Sequence, residues 1–128
     1  MNGIGHLSGV VLECRDPAEL AAFYARLTGC PVVFSDPEWC SIGEGRDAAF
    51  HVSFQRAPDH EPPMWPDPAS SMQVHLHLRV DDLDEAERAV LALGAMRFDH
   101  QPDGVGSRVF ADPAGHPFCL VRARAIAP

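Results

Sequence analysis

The sequence has no long hydrophobic run. Its apolar stretches, such as residues 10–12 and 89–93, are far shorter than the roughly 20 residues that a helix needs to cross a bilayer. Its first six residues, MNGIGH, lack the basic start and continuous apolar core of a secretion signal. These absences predict a protein without a membrane partner that stays in the cytoplasm.

Basic residues are scarce. Ten Lys and Arg stand against 18 Asp and Glu, which gives a formal net charge of −8. Binding to nucleic-acid phosphates needs clustered Lys and Arg, so a nucleic-acid partner is not expected. The acidic excess favours solubility or a cationic ligand.

Cysteines are few and unpaired in the sequence. Cys14, Cys30, Cys40 and Cys119 form no CxxC motif, and without a secretory signal they predict buried thiols rather than a disulfide framework. The chain also lacks a Gly-rich phosphate loop, a nucleophile elbow and a pair of catalytic carboxylates. Most well-marked enzyme motifs are thereby absent.

The first half of the chain alternates strand and helix signals. A β-prone segment ends at Asp16-Pro17, where Asp can cap a helix and Pro fits its first turn. Apolar residues at helical spacing predict a helix over residues 18–27, and Gly29 supplies its stop. Three β-prone pieces follow, at residues 32–35, 39–42 and 49–55. A β-α-β-β-β module is therefore predicted over about residues 5–56.

The second half repeats this order after a connector. Residues 57–72 contain five prolines, too many for a helix or a central strand. A strand over residues 73–80 and a helix over 83–93 follow, and turns are predicted at residues 102–104 and 112–115. An offset of 65 residues places Asp16 on Asp81 and Gly29 on Gly94. The sequence therefore predicts an α+β fold of two tandem βαβββ modules, the second over about 73–123, in a single domain spanning residues 1–128.

Three stretches carry a family resemblance. They are DPAELAAFY (residues 16–24), QVHLHLRVDDL (73–83) and ADPAGHPFCLV (111–121). Together with the duplicated module, they resemble the vicinal-oxygen-chelate superfamily of glyoxalases, bleomycin resistance proteins and extradiol dioxygenases, and within it the glyoxalase-like subgroup. The resemblance covers nearly the whole chain. It implies that each module curls into a half-open mixed sheet and that paired modules, within a chain or across a homodimer, enclose a small-molecule site.

The resemblance also implies where metal ligands would lie. Metal-dependent members carry His or Glu on the first and last strands of each module, and these positions correspond here to Val10, His75, Cys119 and a residue near Phe54 or Gln55. Among them His75 alone is a usual ligand, because Val cannot coordinate and Gln is a weaker donor than a carboxylate. We therefore expect no metal cofactor. A divalent metal stays an open alternative, with His75, His77 and Cys119 as its candidate ligands.

Two histidines form the sharpest local feature. His75 and His77 are two residues apart on a predicted strand, so both imidazoles share one face. They can line a polar cavity, bind metal or exchange protons as catalytic groups. By the same alternation Gln55 is the preferred pocket contact on a neighbouring strand. Cys119 is predicted to be a buried small hydrophobe, or else a thiolate partner of His75.

Aromatic and basic side chains complete the predicted pocket. Trp39, Phe54 and Phe110 are expected to form an apolar wall for a ring-containing ligand, although core packing is the simpler explanation. Trp65, in the connector, is expected to close a pocket, to form a dimer contact or to fold back onto the core. Arg108 can meet a ligand carboxylate or phosphate, or form a salt bridge.

The leading functional prediction is a homodimeric binding protein for an antibiotic or metabolite, with a largely metal-free pocket. The alternative is an enzyme, namely an isomerase, lyase or dioxygenase, that uses a displaced divalent metal or acid–base chemistry at His75 and His77. A third interpretation is a subunit or regulator. The sequence does not identify the ligand, because fold-level resemblance does not carry function.

Overall fold

A computed structural model of the chain describes residues 3–101 and 106–122. The turn predicted at residues 102–104 and the end of the second module at residue 123 lie outside the described residues. The chain divides into two compact units, Met1–His60 and Glu61–Pro128. We call them unit 1 and unit 2.

Unit 1 is a four-stranded mixed sheet with one helix. Its elements are β1 (Gly9–Cys14), α1 (Pro17–Thr28), β2 (Val32–Asp36), β3 (Trp39–Ile42) and β4 (His51–Arg56). The strand order is β1-β4-β3-β2, and β1 pairs with β4 in parallel while the other pairs are antiparallel.

Unit 2 repeats this topology. Its elements are β5 (Leu76–Arg79), α2 (Leu83–Ala92), β6 (Met96–Arg97), β7 (Ser107–Ala111) and β8 (Pro117–Val121). The order β5-β8-β7-β6, with β5 parallel to β8, matches that of unit 1 strand for strand. The predicted α+β fold of two βαβββ modules is confirmed. Neither of the two described helices has the length and apolar content that a membrane crossing requires.

The helix ends explain why the repeat is visible in the sequence, and they correct its register. Asp16 and Asp82 cap the two helices, each accepting a hydrogen bond from the backbone N–H three residues later. Gly29 and Gly94 follow the helices with positive φ. The modules are thus offset by 66 residues at the helix starts and 65 at the glycines, because α1 is longer than α2. The predicted match of Asp16 to Asp81 is wrong by one residue.

The core of unit 1 lies between α1 and one face of its sheet. Leu12, Cys14 and Phe54 alternate onto that face and are buried. Phe54 is 0% exposed and stacks on Tyr24 of α1 with ring centroids 5.5 Å apart. The opposite sheet face carries β4 residues 51, 53 and 55, of which His51 and Ser53 line the candidate site.

Unit 2 buries side chains on both faces of its sheet. Phe110 and Phe118 stack with centroids 5.8 Å apart on one face and are fully buried. On the other face Val109, Cys119 and Val121 form a buried cluster, against which Trp65, Met72 and Phe98 pack. The proline-rich connector from residue 61 onward therefore belongs to unit 2, where it covers part of the sheet.

Candidate functional site

A cleft of about 420 Å³ opens on the face of the unit 1 sheet that carries β4 residues 51 and 53. Its apolar lining residues lie on both edge strands, Val11 on β1 and Val33 and Phe34 on β2, and Trp39 adds an aromatic ring from β3. The polar side chains are Ser41, Arg46, His51 and Ser53, and residues 8–10 complete the lining. A mainly apolar lining with a few fixed polar groups is the usual form of a small-molecule site.

Two serines form a hydrogen-bonded chain inside the cleft. The Trp39 indole N–H donates to Ser41 Oγ at 2.9 Å, and Ser41 Oγ lies 2.7 Å from Ser53 Oγ. The two strands hold this pair in place, because Ser41 and Ser53 are direct partners in the β3–β4 ladder. The serine pair has two hydroxyl protons, and its mutual bond uses one of them. The other proton can be donated to a ligand.

His51 and Arg46 lie where β4 begins. The His51 imidazole lies 2.8 Å from the carbonyl oxygen of Gly45, and because a carbonyl accepts only, Nε2 is the donor. A Cβ at residue 43 would come within 2.5 Å of His51 Cδ2, so Gly43 makes room for this ring. Arg46 follows directly after Gly45 and is exposed. Among the described residues that line the cleft, Arg46 is the one with a charged side chain of the Lys, Arg, Asp or Glu type.

A second candidate site lies in unit 2. The Nε2 atoms of His75 and His77 are 3.1 Å apart, and these histidines form with Cys119 a group whose ligand atoms all lie within 4.8 Å of one another. His77 and Cys119 are direct partners in the parallel β5–β8 ladder. His75, two residues earlier, is on the same face. The described residues thus include a possible His/Cys metal site.

The protonation of this cluster follows from its surroundings. Burial, and then the nearby His77 imidazole, lower the pKa of His75. Burial also raises the pKa of the Cys119 thiol. In the Nε2–Nε2 hydrogen bond one ring must donate and the other accept, so at least one imidazole is neutral. Without a metal, these two shifts favour a neutral His75 imidazole and a protonated Cys119 thiol at neutral pH.

We predict that His75 titrates below the ordinary imidazole range in an NMR titration of the ring signals. The folded chain binds a proton at His75 less readily than the unfolded chain does. The contribution of His75 to the free energy of unfolding therefore decreases as the pH falls from the ordinary imidazole pKa through the lowered pKa of the folded chain. His77→Gln should return the His75 midpoint only partway, since burial is the larger cause. A midpoint above the ordinary range in the unmodified protein would contradict this account.

The sheet registers identify the unit 1 equivalents of His75 and Cys119, and they correct the predicted ones. A 66-residue offset maps His75 onto Gly9, and it maps the His77–Cys119 pair onto the Val11–Ser53 pair. The predicted Val10 is one residue from its equivalent, and the predicted residue near Phe54 or Gln55 is one or two residues from Ser53; a shift of one residue along a strand reverses the face. Gly9 has no side chain, and a Cβ there would lie 2.6 Å from the carbonyl oxygen of His51. Ser53 is bonded to Ser41. Unit 1 therefore offers no usual ligand at these two positions.

Three residues that were predicted to contact a ligand make core or ion-pair contacts in the structure. Phe54 and Phe110 are both 0% exposed, because each is buried in its own stacked pair on the helix side of its sheet. Arg108 forms ion pairs with Asp84 at 2.8 Å and Glu87 at 3.4 Å on α2. These contacts favour the alternatives of core packing for Phe54 and Phe110 and of a salt bridge for Arg108.

The remaining predicted pocket residues are placed as follows. Trp39 lines the unit 1 cleft. Gln55 is exposed on the same strand face as Ser53 but is not among the lining residues. Trp65 packs edge-on against Phe98, with ring centroids 5.0 Å apart, and thus folds back onto unit 2.

The sequence interpretation placed His51 and Ser53 on the face of Gln55, but it missed Arg46, Ser41 and the hydrogen bond between the two serines. Arg46 follows the Gly43-Glu44-Gly45 turn, and a basic residue directly after a Gly-rich turn was the available signal. Ser41 and Ser53 alternate with the apolar residues of β3 and β4, so strand periodicity places them opposite the core. Their pairing needs the register of the sheet, which the sequence does not supply.

Comparisons with known proteins agree with this fold. The family model for the glyoxalase-like domain matches residues 9–121. No curated protein is significantly similar to the chain.

Solved structures of the same fold include proteins that bind or resist antibiotics. The fosfomycin resistance protein FosX from Listeria monocytogenes superposes with a TM-score of 0.71 at 17% identity, over 98% of this chain and 97% of its own. The antibiotic binding protein TnmS3 from Streptomyces sp. CB03234 gives 0.61 at 18% identity, over 95% and 98%. A bleomycin-binding protein complexed with bleomycin gives 0.57 at 25% identity, over 94% and 100%.

The family match covers most of the chain, and the strand order, the repeated capped helices and the solved relatives agree with it. The chain belongs to the glyoxalase-like domain family, within the glyoxalase/bleomycin resistance/dioxygenase superfamily.

Proposed function

We propose that the protein binds a small organic molecule in the unit 1 cleft, and that this ligand combines a ring or other apolar body with an anionic group. The observation that carries the proposal is the mixed lining of the cleft: apolar side chains lie on both edge strands, the serine pair lies on the central strands, and Arg46 provides the positive charge. Relatives that bind an antibiotic or bleomycin support small-molecule binding as the type of function.

The polar side chains of the cleft suit an anion more than a cation. Arg46 can donate two parallel hydrogen bonds to a carboxylate or phosphate, and the serine pair adds one hydroxyl donor. The residues beside Arg46 in the sequence include Glu44 and Asp47, but neither lines the cleft. In the sequence interpretation the acidic net charge favoured solubility or a cationic ligand, whereas the local charge in the cleft favours an anionic one.

Isothermal titration calorimetry with three ring-matched probes tests the proposal. Phenyl phosphate is expected to bind more tightly than neutral benzamide, and benzamide more tightly than cationic benzylamine. Arg46→Gln should weaken phenyl phosphate binding about 10- to 100-fold, because a charge-assisted hydrogen bond contributes about 1.5–3 kcal/mol. Binding of benzamide should change little.

Arg79→Gln is the matched control, since Arg79 is an exposed arginine of unit 2. Equal affinity for the three probes, or an equal loss in the Arg46 and Arg79 variants, would contradict an anion-binding cleft.

A second candidate function is acid–base or metal-assisted catalysis at His75 and His77. It is favoured by the 3.1 Å separation of their Nε2 atoms, within reach of proton exchange. If mass spectrometry detects turnover of a bound compound and His75→Ala abolishes that turnover, the function is catalysis rather than binding.

The assembly and location of the protein are also part of the proposal. We propose a cytoplasmic homodimer, as expected for a member of this superfamily. Sedimentation velocity across a concentration series measures the assembly, and a monomer at all concentrations would contradict it.

A further inference from the structure

The His75, His77 and Cys119 side chains have the spacing of a metal-binding group. Their ligand atoms lie within 4.8 Å of one another, and the two Nε2 atoms are 3.1 Å apart. Around a tetrahedral zinc ion, bond lengths of about 2.0–2.1 Å to nitrogen and 2.3 Å to sulfur place two nitrogens about 3.3 Å apart, and nitrogen and sulfur about 3.6 Å apart. Small side-chain rotations therefore suffice to bring all three atoms onto one ion.

The backbone fixes this arrangement. His77 and Cys119 are paired across two parallel strands, and His75 precedes β5 on the same face. Two of the three donors thus depend on ladder hydrogen bonds rather than on a loop. Sites built on strands hold their ligands more closely in place than sites built on loops.

The donor set differs from the His and carboxylate ligands that the superfamily resemblance implies. The unit 1 equivalents of His75 and Cys119 are Gly9 and Ser53, so the unit 1 half of that ligand set is lost. What remains in unit 2 is two imidazoles and a thiol, with no carboxylate in the group. Imidazole and thiolate suit zinc, whereas carboxylate and water suit magnesium and manganese.

We propose that unit 2 binds Zn²⁺ through His75 Nε2, His77 Nε2 and the thiolate of Cys119, with a fourth position left for water or a ligand atom. On binding, the Cys119 thiol releases its proton to solvent. The imidazole that donates the Nε2–Nε2 hydrogen bond takes its Nδ1–H tautomer by proton exchange with water, so both Nε2 atoms coordinate the metal. This site and the unit 1 cleft use different residues, and the zinc proposal does not depend on the function proposed for that cleft.

Apolar side chains next to Cys119 support the site. Trp65, Met72 and Phe98 pack against the cluster of Val109, Cys119 and Val121. An apolar shell limits the access of water to the sulfur and so strengthens its bond to a metal ion. The connector that carries Trp65 and Met72 thereby takes part in the site without supplying a ligand.

Titration of the untagged, metal-free protein with Co²⁺ and Zn²⁺ tests the proposal. Co²⁺ bound to a thiolate gives an intense sulfur-to-cobalt charge-transfer band in the near ultraviolet, and one equivalent of Zn²⁺ should abolish it. The band is expected in the unmodified protein and absent in Cys119→Ser. His75→Gln and His77→Gln should each weaken Zn²⁺ binding about 100-fold in competition with a chelator.

Matched variants separate ligation from other effects. Cys30→Ser and His6→Gln make the same chemical changes in unit 1, and both should leave the band and the zinc affinity unchanged. Since His77 is exposed, a loss of binding in His77→Gln with an unchanged circular dichroism spectrum reports on the site rather than on folding.

Three results would overturn the zinc site: no charge-transfer band, an undiminished band in Cys119→Ser, or Mn²⁺ bound as tightly as Zn²⁺. The cleft is tested independently, because Arg46→Gln should keep the zinc affinity and Cys119→Ser should keep the affinity for phenyl phosphate. Failure of one proposal therefore does not imply failure of the other.

Discussion

Replacing Phe54 with alanine is expected to lower the free energy of unfolding by about 3–5 kcal/mol, the usual cost of truncating a fully buried phenylalanine. Phe54 is 0% exposed and stacks on Tyr24, so the substitution removes an aromatic contact and leaves a cavity between α1 and the sheet. Chemical denaturation monitored by circular dichroism measures the change. A loss of this size would establish Phe54 as a core residue of unit 1.

The neighbouring position provides the control. Gln55 is the next residue on β4 but lies on the opposite face and is exposed, so Gln55→Ala should change the free energy of unfolding by less than about 0.5 kcal/mol. If Phe54→Ala lost ligand affinity while keeping full stability, Phe54 would belong to a pocket and the assigned sheet face would be wrong.

Replacing Gly115 with valine is expected to lower the free energy of unfolding by roughly 3 kcal/mol or more. Gly115 has a φ of +90°, a conformation that costs a β-branched residue about 1–3 kcal/mol. A Cβ at this position would also overlap the ring of Pro62 in the connector, and relieving the overlap adds to the loss. Thermal and chemical denaturation both measure the effect.

Gly5→Val is its control, since a Cβ at residue 5 meets no atom within 4 Å. The Gly115 variant should also increase proteolytic cleavage in the connector, because Pro62 has to move away from the turn. Unchanged stability together with unchanged cleavage would show that the connector does not pack at Gly115.

The fold could be predicted because the residues that begin and end its helices act through local contacts. Asp16 and Asp82 cap their helices through their own side chains, and Gly29 and Gly94 take the positive φ that other residues avoid. These signals need no knowledge of distant contacts. They mark the same β-α-β order twice, and this fixed the topology.

The faces of the strands could not be predicted as well. The segment from the capping aspartate to the glycine is one residue shorter in unit 2, which separates the offsets of 65 and 66, and on a strand one residue exchanges the core face for the open face. The equivalents of His75 and Cys119 are therefore Gly9 and Ser53 rather than Val10 and either Phe54 or Gln55. The ion pairs of Arg108 could not be predicted either, because its partners Asp84 and Glu87 are more than 20 residues away in sequence.

His75, His77 and Cys119 could be recognised together for a simple reason. Two histidines separated by one residue must share a strand face, and the family-like motif places Cys119 on the strand alongside. The cleft in unit 1 was harder to recognise, because Arg46 follows a turn whose path depends on His51 and Gly45.

The most direct test of the cleft as the ligand site is a two-dimensional ¹H–¹⁵N NMR titration of the protein with phenyl phosphate. We expect saturable shifts at the backbone amides of Ser41, Arg46 and Ser53 and at the Trp39 indole N–H, and we expect Arg46→Gln to reduce them. Shifts concentrated at His75, His77 and Cys119, or no saturable shifts at phenyl phosphate concentrations up to the millimolar range, would contradict the account.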